Sequence, residues 1–256
     1  MRRIRVIPVL LIQNGGLVKS IQFKKHKYVG DPINAVKIFN EKEVDEIVIL
    51  DISASRERHP PNMQQISEIA GEAFMPLAYG GGITTLDQIK RILYEGAEKV
   101  VFNTSALNNP QLLTAAAQRF GNQSVVASID VQKDWLGRYR VYSKGGTHNT
   151  GLAVPTFASN MEAAGAGEIF LTSIDRDGTF QGYDLELIHQ VTQAVSIPVV
   201  ACGGASEVAD FTKAIVEGGA SAVAAGSMFV FQRPHRAVLI SYPPQRDLEM
   251  QLFSKI

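Results

Sequence analysis

Five glycine-bearing or polar turns in this sequence could hold an anion: Gly80-Gly81-Gly82, Asn103-Thr104, Asp177-Gly178-Thr179, Gly203-Gly204 and Gly226-Ser227. Each follows a short apolar run. Backbone N–H groups in such turns, and at the helix starts beyond them, are ready donors to a phosphate. Gly81 and Gly82 with Asn103 and Thr104 would form one cradle. Asp177, Gly178, Gly203, Gly204, Gly226 and Ser227 would form another, which implies a ligand with phosphates at both ends. The plainer use of a glycine pair is close packing or a positive φ. One run breaks the expected chemistry: VIPVLLIQNGG, Val6 to Gly16, places the aliphatic Leu11 where α/β enzymes usually carry a polar catalytic group.

The elements that would position these turns are eight apolar runs, beginning at Ile4, Glu46, Met75, Lys99, Val125, Glu168, Ile197 and Ala222. Amphipathic stretches alternate with them, such as those running from Asp31, Thr84 and Tyr183, each opening near a plausible cap, while Gly96, Gly121, Gly165 and Gly218 follow helical stretches as stops do. This alternation predicts βα units around a parallel sheet, closed as a single (β/α)8 barrel over residues 1–256. The halves also echo each other. LDISAS pairs with SIDRDGT, YGGGIT with CGGASE, and AEKVVFNTSAL with ASAVAAGSMFV, each about 123 residues apart, as two half-barrels of four units would require. The stretch WLGRYRVYSKGGTHNT predicts a β-hairpin inserted after strand five, its aromatic residues covering the barrel mouth.

Composition narrows the partners. Hydrophobic residues make up 45% and charged residues 20%, with 25 basic against 25 acidic side chains, so neither a nucleic acid nor a membrane surface is an expected partner. Cys202 is the single cysteine, which excludes an intrachain disulfide and a cysteine-built zinc site and fits a reducing cytoplasm. The basic start MRRIRV leads into too short an apolar run, without a cleavage site, to predict a signal peptide. His26, His59, His148, His189 and His235 show no metal-ligand spacing and are expected at the surface or one layer behind a site. No metal or other cofactor is expected.

Seven segments together, RVIPVLLIQNGGLVKS, GDPINAVKIFNEKEVDEIVILDISAS, YGGGI, AEKVVFNTSAL, RFGNQSVVASIDV, GAGEIFLTSIDRDGT and GYDLELI, resemble the cyclase subunit of imidazole glycerol phosphate synthase. The similarity runs to about Phe231 and weakens beyond it. That family is a (β/α)8 barrel and a lyase of the glutamine amidotransferase type. It takes ammonia from a separate glutaminase subunit, joins it to a bis-phosphorylated ribulosyl intermediate of histidine biosynthesis, then cyclises and cleaves. The resemblance implies a heterodimer with a glutaminase. It also implies that Asp130 is one of two catalytic aspartates, that Lys19 clamps substrate or closes the site, and that Arg5, Glu46, Lys99 and Glu168 form a gate admitting ammonia at the barrel bottom. The second catalytic aspartate falls at Leu11. A simple ion-pair ring is the plainer reading of the four charges.

Leucine cannot exchange a proton, and a positioned acid or base typically contributes about 10²–10⁴-fold. Within the family, VLLIQNGGLVKS, KYVGDPINAVKIFNEKEVDE and HRAVLISYP are most similar to paralogues associated with acetamidino-sugar formation in bacterial surface polysaccharide (lipopolysaccharide, O-antigen) biosynthesis. There the barrel and its glutaminase are thought to feed ammonia to a third, sugar-aminating enzyme. Two rivals stand beside this expectation: a histidine-pathway cyclase in which another group replaces Leu11, and a catalytically silent, phosphate-sensing scaffold that regulates the glutaminase.

Overall fold

A computed structural model describes residues 4–256; Met1, Arg2 and Arg3, the basic start considered above, lie outside the described residues. Eight parallel strands close into a ring: β1 (Arg5–Gln13), β2 (Ile47–Asp51), β3 (Leu77–Gly80), β4 (Lys99–Phe102), β5 (Val125–Lys133), β6 (Glu168–Ser173), β7 (Val199–Cys202) and β8 (Ala222–Ala225). The ring is closed by pairing of β8 with β1 and of β5 with β6. Each expected apolar run carries one strand, and the fold is a (β/α)8 barrel. No helix among the described residues is long and apolar enough to cross a membrane.

Side chains alternate across each strand, so a barrel needs two cores. Along β1, Val6, Leu10 and Ile12 face the outer core, whereas Ile7 and Val9 belong to an inner core with Val48, Ala78, Val101, Val126, Phe170, Val200, Cys202, Ala222 and Ala224. Leu11 shares the parity of Ile7 and Val9 and packs on that inner core beside Leu50. On β5 the same rule turns Val126, Ser128 and Asp130 inward.

The outer helices are α1 (Pro32–Glu41), α2 (Met63–Ala70), α3 (Leu86–Tyr94), α4 (Pro110–Phe120), α5 (Val154–Ala163), α6 (Leu185–Thr192), α7 (Val208–Val216) and α8 (Gln245–Gln251). Their starts follow local chemistry: Asp31 caps α1, Thr85 and Gln88 form a capping box on α3, and Asp184 caps α6. Gly218 follows the end of α7 at Val216 as expected, and the residue after it, Gly219, takes the left-handed position with φ 77°. The two glycine turns that echo each other both hold their glycines at positive φ. Gly81 and Gly82 have φ of 125° and 68°, and Gly203 and Gly204 have 95° and 107°.

Three additions decorate the mouth. A hairpin of Gly16–Ile21 with Lys24–Gly30 grows from the end of β1. A second, formed by the end of β5 and Tyr139–Ser143, confirms the insertion after strand five. Its aromatic residues do not cover the mouth as expected. Trp135 is 89% exposed at the hairpin's tip, because the turn from Asp134 to Arg138 folds on itself through the Asp134 carboxylate. A third, short hairpin joins Phe231–Gln232 to Ala237–Val238 ahead of α8.

Candidate functional site at the barrel mouth

The C-terminal ends of the strands surround a cavity of about 120 Å³, several times the space one water needs. Leu11, Lys19, Gly81, Gly82, Asn103, Thr104, Asp130, Asp177 and Gly226 all line it. Leu11 and Asp130 therefore face one chamber. Of the other sequence-predicted site residues, Gly178, Gly203, Gly204 and Ser227 are not among the lining residues. Gly203 and Gly204 are packed against backbone: an added Cβ would come within 2.6 Å of the Ser173 carbonyl oxygen and 2.2 Å of that of Gly182.

Asp130 is 9% exposed, and its Oδ2 accepts a hydrogen bond from Asn103 Nδ2 at 3.1 Å. The same Asn103 amide also donates to the Ser128 carbonyl at 3.1 Å, while Thr104 Oγ1 donates to Asn103 Oδ1 at 3.2 Å. Burial pushes the Asp130 carboxyl up to about 7, the negative charge of Asp177 adds to the rise, and the Asn103 bond opposes it. Lys19 comes from the first hairpin and turns inward to donate to the Val9 carbonyl. Burial lowers its ammonium to about 8, against the pull of Asp177. Asp177 is itself raised by burial, opposed by Lys19 and by the Ser20 hydroxyl, which donates to it at 3.2 Å. The chamber thus holds two groups poised to exchange protons near neutrality, one acidic and one basic. Cys202 also lines it, but burial raises its thiol to about 12, so it is inert.

These shifts predict a pH signature. Between the unfolded value of about 3.9 and the folded value of about 7 the folded chain holds the Asp130 proton more tightly, so this group costs stability as pH rises through that window. Lys19 acts in the opposite sense, its penalty disappearing as pH rises from about 8 to the unfolded value near 10.4. Asp130→Asn is expected to raise the melting temperature at pH 8 and to leave it nearly unchanged at pH 4. Thermal scans at the two pH values check this, and equal shifts at both would count against it.

Sequence reasoning passed over Asp51 and misplaced His26. Asp51 lines the cavity from the end of β2, where its Oδ1 accepts from the Ser53 hydroxyl at 2.7 Å, the Ser53 N–H at 3.0 Å and the Ala54 N–H at 3.1 Å. The signal was present in the half-barrel echo, since LDISAS matches SIDRDGT. His26, expected at the surface or one layer back, lines the cavity because the first hairpin folds over the mouth. Burial and the nearby Arg56 lower its imidazole. His59 does sit behind the wall, its Nε2 3.9 Å from Asp51 Oδ2.

At the opposite end the four strand-start charges meet. Lys99 Nζ contacts Glu46 at 2.8 Å and Glu168 at 2.9 Å, and the Arg5 guanidinium pairs with the same two carboxylates. Glu46 and Glu168 are 3% and 7% exposed, so the alternating ring is internally neutral and its carboxylates are nearly dry. Between ring and mouth lies the inner core, mostly apolar among the described residues, with the polar Ser128 and Thr172 near its upper end.

Fold and site together define a (β/α)8 barrel with an acid–base chamber at its mouth and a charged ring closing its base. The histidine biosynthesis protein family model matches residues 5–234, and the chain belongs to that family. Within it the similarity is to imidazole glycerol phosphate synthase subunits of the HisF type. Subunit hisF2 of Pseudomonas aeruginosa, provisionally named as such a synthase subunit, is 52% identical over 250 residues, covering 98% of this chain and 100% of the relative. The provisionally named hisF3 of Vibrio vulnificus is 46% identical over 253 residues, 98% of this chain and 97% of its own. The imidazole glycerol phosphate synthase subunit HisF of Alkaliphilus metalliredigens is 45% identical over 225 residues, 88% and 89% of the two chains.

Proposed function

We propose that this chain receives ammonia from a partner glutaminase at its base and passes it through the barrel to a sugar-aminating enzyme of acetamidino-sugar biosynthesis, with its own cyclisation largely lost. The observation that carries this reading is Leu11, an aliphatic wall on the inner core where a second acid would face Asp130. The apolar inner core from Ile7 and Ala222 up to Leu11 and Leu50 would favour passage of neutral NH₃ over NH₄⁺, because an unpaired ion loses its hydration there. The ring of Arg5, Glu46, Lys99 and Glu168 would serve as the gate, opening by exchange of ion pairs. Phe74 and Tyr94, each 87% exposed just before β3 and beside the turn into β4, give the same face an apolar surface for the glutaminase.

A second reading, the histidine-pathway cyclase, is favoured by one observation: Lys19 and Asp130 line one chamber with proton affinities near neutrality. The purified chain, given ammonium salt and the bis-phosphorylated ribulosyl intermediate, separates the two. The conduit reading expects turnover at least about 10²-fold below the typical enzyme rate of roughly 10 s⁻¹. Turnover on the order of 1 s⁻¹ or faster establishes the cyclase instead.

A further inference from the structure

Among the described residues Lys19 is the one buried lysine, at 4% exposure, while Lys24, Lys25 and Lys27 of the same hairpin stand in solvent. Its amine donates to the Val9 carbonyl, and it takes part in none of the ion pairs formed among the described residues. Gly226 makes room for it. A Cβ added there would overlap Lys19 Nζ, although the backbone, at φ −110°, does not itself require glycine. Lys19, Asp130 and Asp177 all act electrostatically on the Cys202 thiol, so the three groups lie around one part of the chamber.

A clamp or an ion pair needs a charged ammonium, whereas burial without a paired carboxylate favours the neutral amine. One N–H is spent on Val9. The lone pair of such an amine is then free to act as a nucleophile toward whatever enters the chamber. We infer that Lys19 forms an imine with a small phosphorylated ketone or aldehyde, and that Asp130 is the acid that expels water. In this step Lys19 Nζ bonds to the carbonyl carbon, the C=O π pair moves to oxygen, and the proton released by nitrogen passes to that oxygen. The carbinolamine then loses its hydroxyl as water with a proton from Asp130. Nitrogen forms the C=N bond and gives its remaining proton back to the carboxylate. Amine and carbonyl become imine and water, with no oxidant or reductant required. Gly81, Gly82 and Thr104 line the same chamber, and donors of that kind hold a phosphoryl end, so the carbonyl belongs to a phosphorylated compound. At about pH 7.5 an amine lowered to about 8 is neutral in roughly a quarter of molecules, against roughly one in a thousand for a solvent lysine near 10.4.

This activity needs neither ammonia nor a glutaminase, so its failure and the failure of the conduit are separate results. The test is incubation of the full chain with dihydroxyacetone phosphate and cyanoborohydride, which reduces an imine to a stable secondary amine, followed by peptide mapping. Lys19 should be labelled at least about tenfold faster than Lys24, Lys25 and Lys27, as its larger neutral fraction requires. Its rate should peak between about pH 7 and about 8, where Asp130 still holds a proton and the amine has begun to lose one, while the exposed lysines react faster as pH climbs. Asp130→Asn should slow the labelling of Lys19 by about tenfold or more. A folded Gly226→Ala chain should also label more slowly, because the added methyl displaces the amine from its seat. The comparison with the three exposed lysines is made within the native chain and stands even where a variant unfolds. Labelling of Lys19 no faster than theirs, or a rate that climbs steadily with pH and ignores Asp130→Asn, would overturn the assignment.

Discussion

Leu11→Asp is expected to raise ammonia-dependent turnover of the bis-phosphorylated ribulosyl intermediate by about 10²–10⁴-fold, the usual contribution of one positioned acid or base. The new carboxyl would keep the inward parity of Ile7 and Val9 and enter the chamber that Asp130 already lines. Position 11 is half-buried at the rim, so the carboxylate keeps water on one side and need not pay for full desolvation. Leu11→Asn controls for polarity and size and should give no comparable gain. Delivery of ammonia to a sugar-aminating partner should not improve in either variant. Steady-state rates with ammonium salt decide the matter. A folded Leu11→Asp chain no faster than the native one would show that something other than the missing acid limits cyclisation.

The second large effect is at the base of the barrel. Lys99 bridges Glu46 and Glu168, both nearly dry, and its removal leaves the two carboxylates to Arg5 alone. Lys99→Leu should therefore lower stability by about 1–3 kcal/mol, less than the loss of a sole partner because Arg5 remains. If the ring is a gate, glutamine-dependent delivery should fall by about tenfold or more, while the acceptor enzyme supplied with free ammonium keeps its rate. Measuring both rates on the same complex separates gating from mere support. Equal losses with glutamine and with ammonium would assign Lys99 to the ion-pair ring and nothing more.

Much of this molecule is written in local pattern. The eight apolar runs, the caps at Asp31 and Thr85 and the glycine turns define βα units whatever surrounds them, because hydrophobic period, cap chemistry and positive φ act over a few residues. Given the barrel, period two along β1 and β5 was enough to turn Leu11 and Asp130 inward, and strand starts were enough to gather Arg5, Glu46, Lys99 and Glu168 at one end. The resemblance to the cyclase family also came from contiguous segments.

Other features depended on contacts between residues far apart in the chain. Lys19 is a loop residue in sequence, yet the hairpin from Gly16 to Gly30 folds back so that its ammonium reaches the Val9 carbonyl and loses its water, which lowers its proton affinity. The same fold brings His26 to the cavity wall. Trp135 points to solvent because the Asp134 carboxylate closes the turn beneath it, a hydrogen-bond preference that aromatic content does not reveal. Arg236 finds Gly178 across 58 residues, and Arg233 finds Ser206 across 27. Sequence alone thus determined the strands, their inward faces and the charges at their starts, since these follow from short-range periodicity. Only the tertiary structure decided which side chains lose water and which distant residues pair, because burial and long-range pairing are properties of the closed barrel and not of any segment of it.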